Sequence, residues 1–321
     1  MPPRSRSLLG HDRRRVVHHR GVLAELASTA WVPLVRNIEG IGMGANIMDG
    51  AAVASSLLAD TKRRAAEYLN RSGRQPMLAA VLVGDDAGSR TYVAMKRRRC
   101  EQNGVGSIIV ELPASTTTTE LVEQIRNLSA DTAVDGILLQ HPVPARIDER
   151  AAFEAISPSK DVDGVTMHSF AAMAFGQPGF HSCTPGGIVR LLDAYDVELA
   201  GRHAVVVGRS PILGKPVGML LLARDATVTF CHSKTTGLPD VVRQGDLVVA
   251  AVGRAELIRG EWIKPGAVVI DAGYNPGNIG DVDFAGASAK ASLITPVPGG
   301  VGPMTIAILL QQTVAAAEHA L

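Results

Sequence analysis

Cysteine is scarce and unpaired by spacing. Cys100, Cys183 and Cys231 are odd in number, with no C-x-x-C and no matching histidine pair, which gives neither a disulfide framework nor a zinc site. Apolar runs are short: none approaches the roughly 18 residues of a membrane span. No N-terminal stretch joins a basic start, an apolar centre and a small-residue cleavage site. A cytoplasmic protein with reduced, structural thiols is the expectation. Charge of one sign is also lacking, for the formal net charge is +1. Residues 1–45 hold seven basic and three acidic side chains, leaving 25 basic and 28 acidic beyond them. The main body therefore has no basic stripe for nucleic acid and no basic helix for a membrane surface. No repeat with a period of roughly 20–50 residues is present.

What is present is an ordinary globular composition, 46% hydrophobic and 20% charged over 321 residues, enough for about two domains. Residues 1–45, rich in arginine and without amphipathic continuity, read as an extension that is disordered or that reflects a start placed too early, with Met43 and Met48 as candidate starts. From Asp49 strands and helices alternate. Ala51 to Arg71 is a helix closed by Gly73, and Met77–Val83 is a buried strand. Ser89 is placed to cap a helix running to about Asn103. Ser107–Leu112 is a strand, Thr117 and Glu120 have capping-box spacing, and Gly136–Leu139 is a third strand. Helices are expected at 149–156 and 166–175, and another starts with Pro185 in its first position.

A second alternating series follows, with strands at His203–Val207, Ala226–Phe230, Leu247–Ala251 and Ala267–Asp271 and helices at Gly214–Arg224 and Leu238–Gln244. The fold class is α/β: a parallel-sheet domain followed by a Rossmann-like domain. The last helix, Met304 to Ala320, is long enough to return to the first domain. The expected division is 46–183 plus 304–321 for the first domain and 184–303 for the second.

Three places carry candidate chemistry. Gly208-Arg-Ser-Pro-Ile-Leu-Gly214 links a strand to a helix, the setting in which amides and the helix dipole hold a pyrophosphate. It is not G-x-G-x-x-G, and a plain strand–helix turn is the competing reading. Cys231-His-Ser233 ends the next strand, where a dinucleotide's ribose sits. Ser233 and Arg209, with no carboxylate there, favour the 2′-phosphate of NADP.

In the first half, Tyr92 and Lys96 lie four apart on one helix face, although Arg97, Arg98 and Arg99 also suit a solvated basic face. Gln140 and Asp163 follow strand-end segments, the edge at which open α/β sheets bind ligands. A partly buried Lys96 exchanges protons near neutrality, Gln140 holds it without adding charge, and Asp163 accepts two donors from a heterocycle's amidine edge. An Asx-turn before Gly164 is the alternative for Asp163. Thr295-Pro-Val-Pro-Gly-Gly-Val-Gly-Pro-Met-Thr305 concentrates proline and glycine just before a helix, which reads as a preshaped wall or as a tight strand–helix connection.

Together these segments resemble the bifunctional methylenetetrahydrofolate dehydrogenase/methenyltetrahydrofolate cyclohydrolases, often called FolD. The carriers are Ser89-Arg-Thr-Tyr-Val-Ala-Met-Lys96, Gly136–Gln140, Lys160-Asp-Val-Asp-Gly164, Cys183-Thr-Pro-Gly186, Gly208-Arg-Ser210, Cys231-His-Ser233, Gly280-Asp-Val282 and the 295–305 loop, covering residues from about 47 to 319. The resemblance implies a folate site lined by Tyr92, Lys96 and Gln140, with Lys96 as the main catalytic residue. It implies that Asp163 anchors the pterin and that Pro298, Gly299 and Gly300 form part of the cleft. It further implies NADP bound by Gly208, Arg209, Ser210 and Ser233, with Tyr274 near the nicotinamide, and a homodimer in one-carbon metabolism. A single-activity paralogue and a non-catalytic NADP-binding protein are the alternatives. Two residues depart from the family's usual pattern: His141, in Gln140-His-Pro-Val-Pro144, and Tyr274, where an aliphatic residue is common.

Overall fold

The structure is a computed structural model that describes residues 44–84 and 87–321, and for residues 87–92 the backbone alone. The extension expected over residues 1–45 lies outside the described residues except for Gly44 and Ala45.

The first half comprises β1 (Asn46–Ile47), α1 (Gly50–Ser72), β2 (Met77–Val83), α2 (Ala87–Gln102), β3 (Gly106–Leu112), α3 (Thr118–Ala130), β4 (Gly136–Leu139), α4 (Glu149–Phe153), α5 (Met167–Ala174) and α6 (Cys183–Ala194). The second contains β5 (His203–Val207), α7 (Gly214–Leu222), β6 (Thr227–Cys231), α8 (Leu238–Val242), β7 (Leu247–Ala250), β8 (Val268–Asp271), α9 (Phe284–Ser288), β9 (Leu293–Ile294) and α10 (Val301–His319). Two all-parallel sheets result, ordered β3-β2-β4 and β1-β9-β8-β7-β5-β6.

Local sequence explains most of these elements. The Asp49 side chain accepts the Ala52 N–H at the start of α1, and Gly73 ends the helix in the left-handed region, its N–H reaching the Leu69 carbonyl. Ala54, Leu57, Thr61, Ala65 and Tyr68 make one buried stripe at helical spacing. In α3 the Thr117–Glu120 capping box forms as its spacing predicts, and Leu121, Ile125 and Leu128 face the core. β2 and β4 are continuous apolar runs because both faces of a parallel sheet are covered by helices.

Some boundaries differ from the sequence reading. The backbone of α2 is already helical at Ala87, so Ser89 lies inside the helix and not at its cap. α6 starts at Cys183, which puts Pro185 in the first turn, where a missing N–H costs no hydrogen bond. β1, β9 and α9 were not anticipated. β1 pairs with β9 and so belongs to the larger sheet, while α1, which follows it, packs on α10 and α6.

α10 is apolar around most of its circumference, and a helix of that kind must be covered on all sides. It packs on α1 and α6 and reaches β2 and β4, so the chain's last helix returns to the first sheet. Arg64 of α1 pairs with Glu318 near its end. Among the described residues, no helix is long and apolar enough to cross a membrane.

Candidate active site

Gln140 and Gly208 directly follow strands at the carboxyl edges of the two sheets, whereas Asp163, expected after a strand end, follows the helical turn at Pro158–Lys160 and Lys96 lies within α2. Gln140 directly follows β4, and its N–H continues the ladder to the Val81 carbonyl. Its side chain has a defined orientation: Oε1 accepts from Lys96 Nζ at 3.1 Å, and Nε2 donates to the His141 carbonyl at 2.9 Å. The second bond sets the amide so that the first can form.

Lys96 is 7% exposed in the middle of α2, while Arg97, Arg98 and Arg99 are exposed. The charge run is therefore a solvated face, and Lys96 alone turns inward. Burial lowers the Lys96 pKa, with Asp163 the strongest opposing charge. Burial raises the Asp163 pKa, and Lys96, His141 and the Cys183 thiol oppose that rise. Lys96, Gln140 and Asp163 thus form one electrostatic cluster. Tyr92 lies one turn before Lys96 on α2, with its side chain outside the described residues.

The two carboxylates of Asp161-Val-Asp163 divide their work. Asp161 is fully buried and accepts from Val165 N–H (3.0 Å), Thr166 N–H (2.9 Å) and Ser169 Oγ (2.6 Å). The turn is therefore built by Asp161, and among the described residues no backbone N–H is bonded to the Asp163 carboxylate. Gly164 follows at φ +64°, and a Cβ there would lie 2.3 Å from the His181 carbonyl carbon. Only glycine lets that segment close on residues 181–182.

Two partners of this cluster were not identified as such from sequence. Cys183 donates from Sγ to the Val162 carbonyl at 3.2 Å, and burial beside Asp163 pushes its thiol well above the usual range. Gln312 of α10 donates through Nε2 to the Val162 (2.7 Å) and His181 (2.9 Å) carbonyls and accepts His181 N–H (3.0 Å). His141 meets Phe153 edge-on, with ring centroids 6.0 Å apart.

At the larger sheet, Gly208 has φ +138°, and a Cβ there would lie 2.2 Å from the Ala251 carbonyl oxygen. Only glycine lets this turn close on the backbone that follows β7. Ser210 Oγ accepts from Leu213 N–H (3.1 Å) and Gly214 N–H (3.3 Å). Both lone pairs are thereby used, and its O–H remains able to donate to an anion. Arg209 is exposed and forms no ion pair among the described residues. Ser233 is exposed after β6, the strand beside β5, in a turn held by His232 N–H to Thr235 Oγ1 at 2.9 Å. Lys234 adds an exposed cation to that turn. The cradle, the hydroxyls and the cations suit a phosphorylated dinucleotide.

Tyr274 lies beyond the carboxyl end of β8, 70% exposed, with its hydroxyl donating to Asn278 Oδ1 at 2.7 Å. In the Pro/Gly loop, the Gly299 carbonyl accepts Ala51 N–H at 3.0 Å, and Gly300 packs directly on Gly50 at the start of α1. Pro298 is left exposed. The loop thus joins the end of the larger sheet to the first helix through backbone contacts that larger side chains would block.

Residues 48–163 match the tetrahydrofolate dehydrogenase/cyclohydrolase catalytic domain, and residues 182–321 match the NAD(P)-binding domain of the same enzymes. The chain belongs to the tetrahydrofolate dehydrogenase/cyclohydrolase family. It is 67% identical over 277 residues to bifunctional protein FolD 1 of Streptomyces avermitilis, covering 86% of this chain and 96% of that protein. It is 66% identical to FolD 1 of Salinispora arenicola, over 86% and 99% of the respective chains. Among solved structures, the bifunctional FolD enzyme of Campylobacter jejuni superposes with a TM-score of 0.84 at 42% identity, over 86% of this chain and all of that one. The Trypanosoma brucei enzyme, solved with NADP and an inhibitor, gives 0.83 at 37% identity over 86% and 98%.

Proposed function

We propose that the chain oxidises 5,10-methylenetetrahydrofolate to 5,10-methenyltetrahydrofolate with NADP and hydrolyses that product to 10-formyltetrahydrofolate. The observation that carries the reading is the buried Lys96 Nζ held on Gln140 Oε1 with Asp163 in electrostatic contact. Asp163 anchors the pterin, its carboxylate accepting the amidine edge that a neutral amide would hold less strongly. Pro298, Gly299 and Gly300 form a rigid part of the folate cleft. Gly208, Arg209, Ser210 and Ser233 hold the cofactor, with Tyr274 beside it. NADP, when bound, supplies the acceptor for the substrate's hydride.

For the first reaction the chain's contribution is orientation, because holding two reactants at contact distance removes most of the entropic barrier. For the second, water adds at the cationic methenyl carbon and releases one proton to solvent; its other proton must then reach the ring nitrogen as the bond between that nitrogen and the carbon breaks, leaving the formyl group on the other nitrogen. Lys96 Nζ, its pKa lowered by burial, takes and returns that proton, while Gln140 fixes its position without adding charge. Tyr92, on the same helix, lines the site.

We assign residues 46–183 with 304–321 to folate chemistry and 184–303 to the cofactor, and place the protein in the cytoplasm. Its three described cysteines, all buried free thiols, agree with a reducing compartment. We further propose a homodimer. β3 ends the smaller sheet with an edge unpaired among the described residues, and Ile108 on it is 38% exposed.

Two assays of the purified chain test the reading. NADPH formation from methylenetetrahydrofolate and loss of methenyltetrahydrofolate absorbance are both expected. One alone would reduce the protein to a single-activity enzyme, and neither would remove the assignment.

A further inference from the structure

Asp281 is fully buried and belongs to neither cluster of candidate residues. Four donors converge on its carboxylate. Oδ2 accepts Val252 N–H at 2.6 Å and Gly253 N–H at 2.8 Å, and Oδ1 accepts Arg254 N–H at 2.8 Å and Asn275 Nδ2 at 3.1 Å. Such a set suits a carboxylate, which accepts and does not donate. Asp281 is itself held by a second carboxylate: Asp271 Oδ1 accepts Asp281 N–H and Gly273 N–H, and Oδ2 accepts Val282 N–H, each at 2.9 Å. Glycines make this nesting possible. A Cβ at Gly273 would lie 2.2 Å from Asp281 Cγ, and one at Gly280 would lie 1.9 Å from Asp271 Oδ2.

The donors come from two loops. Residues 252–254 follow β7, and Asn275 lies in the loop after β8, so one side chain ties together the two carboxyl-edge loops beside the Gly208 turn. The connection to that turn is direct. Ala251, the residue before the three bonded amides, supplies the carbonyl oxygen that a Gly208 Cβ would meet at 2.2 Å. Where Asp281 holds the 252–254 loop therefore decides where the wall facing Gly208 stands.

We propose that Asp281 is a positioning residue for the cofactor, fixing the loops after β7 and β8 so that the Gly208–Ser210 turn and the Tyr274 loop face one dinucleotide. The proposal rests on the NADP-dependent reading of this sheet. Asp281 touches no reacting atom; it acts through backbone amides.

The Asp281→Asn variant of the full chain tests it, because an amide keeps the size but presents a donor where donors already converge. The KM for NADP rises by about tenfold or more, as expected for loss of charge-assisted bonds. Hydrolysis of methenyltetrahydrofolate, assayed without NADP, stays within about twofold of the wild type, since it belongs to the Lys96 cluster. An unchanged KM for NADP would overturn the proposal, as would a parallel fall in hydrolysis, which marks a merely structural role. Should Asp281→Asn fail to fold, Asn275→Ala carries the test by removing one donor. A rise of about two- to fivefold in KM for NADP with hydrolysis intact supports the proposal, and no rise contradicts it. Wild-type NADPH formation, measured beside both variants, shows separately whether the NADP-dependent reading itself holds.

Discussion

Burial acts on Lys96 and Asp163 in opposite senses, and each limits the effect on the other. Desolvation favours the neutral form of both: it lowers the lysine from its ordinary 10.5 and raises the carboxyl from its ordinary 3.8. The Asp163 carboxylate keeps part of the lysine's charge, and Lys96 and His141 keep part of the carboxylate's. From 3.8 up to the raised folded value, the folded chain binds the Asp163 proton more tightly than the unfolded chain does. Stability from this group therefore falls as pH rises through that window. Groups facing this cluster come from several elements: Lys96 from α2, Cys183 from α6, and Asp161 beside Asp163 itself, while Arg150 of α4 sits 5.1 Å over the Phe153 ring that His141 touches. Replacing His141 by leucine keeps an apolar contact with Phe153 and removes the ring's electrostatic effect on Asp163. Asp163 then protonates at higher pH, so the acid limb of kcat/KM for the folate substrate moves to higher pH. Profiles of wild type and His141→Leu measured side by side check this. Superimposable acid limbs would make His141 a packing residue only.

At the scale of the element, α10 shows how a helix distant in sequence supports the site. Gln312 ties the segment that carries Asp163 to residue 181: its Nε2 donates to the Val162 and His181 carbonyls, and its Oε1 accepts His181 N–H. Gln312→Ala leaves those groups without their partner, at a cost of about 1–3 kcal/mol. Urea unfolding should show that loss, and the KM for methylenetetrahydrofolate should rise as the 161–164 turn loosens. Unchanged stability and KM would detach α10 from the site. Strands such as β2 and β4 were readable because a buried parallel strand is a continuous apolar run. β1 and β9 were not, since two-residue strands have no pattern of their own and exist through pairing with each other and with β8. Lys96 and Gln140 were legible as residues that make sense at a sheet's carboxyl edge. Asp281 was not recognised as a site residue, because the amides it accepts from, at 252–254, lie almost thirty residues away in sequence. The division of labour between Asp161 and Asp163 was hidden for a related reason: two identical side chains two residues apart differ only in what the fold brings to them.

At the scale of the whole molecule, both sheets are parallel throughout, so every strand in each delivers its following loop to one edge. The smaller sheet brings Gln140 to that edge and α2 supplies Lys96. The larger brings Gly208, Arg209, Ser210, Ser233 and the Asp281-held loops. The 295–300 segment connects the two, leaving β9 and packing on Gly50 before α10 returns to the first sheet. Separate folate and cofactor machinery gives Lys96→Met a definite outcome. In that variant the loss of methenyltetrahydrofolate absorbance should slow by about 100-fold or more, the range expected when a general acid–base group is removed, while NADP binds with wild-type affinity. Hydrolysis at the wild-type rate would contradict the account.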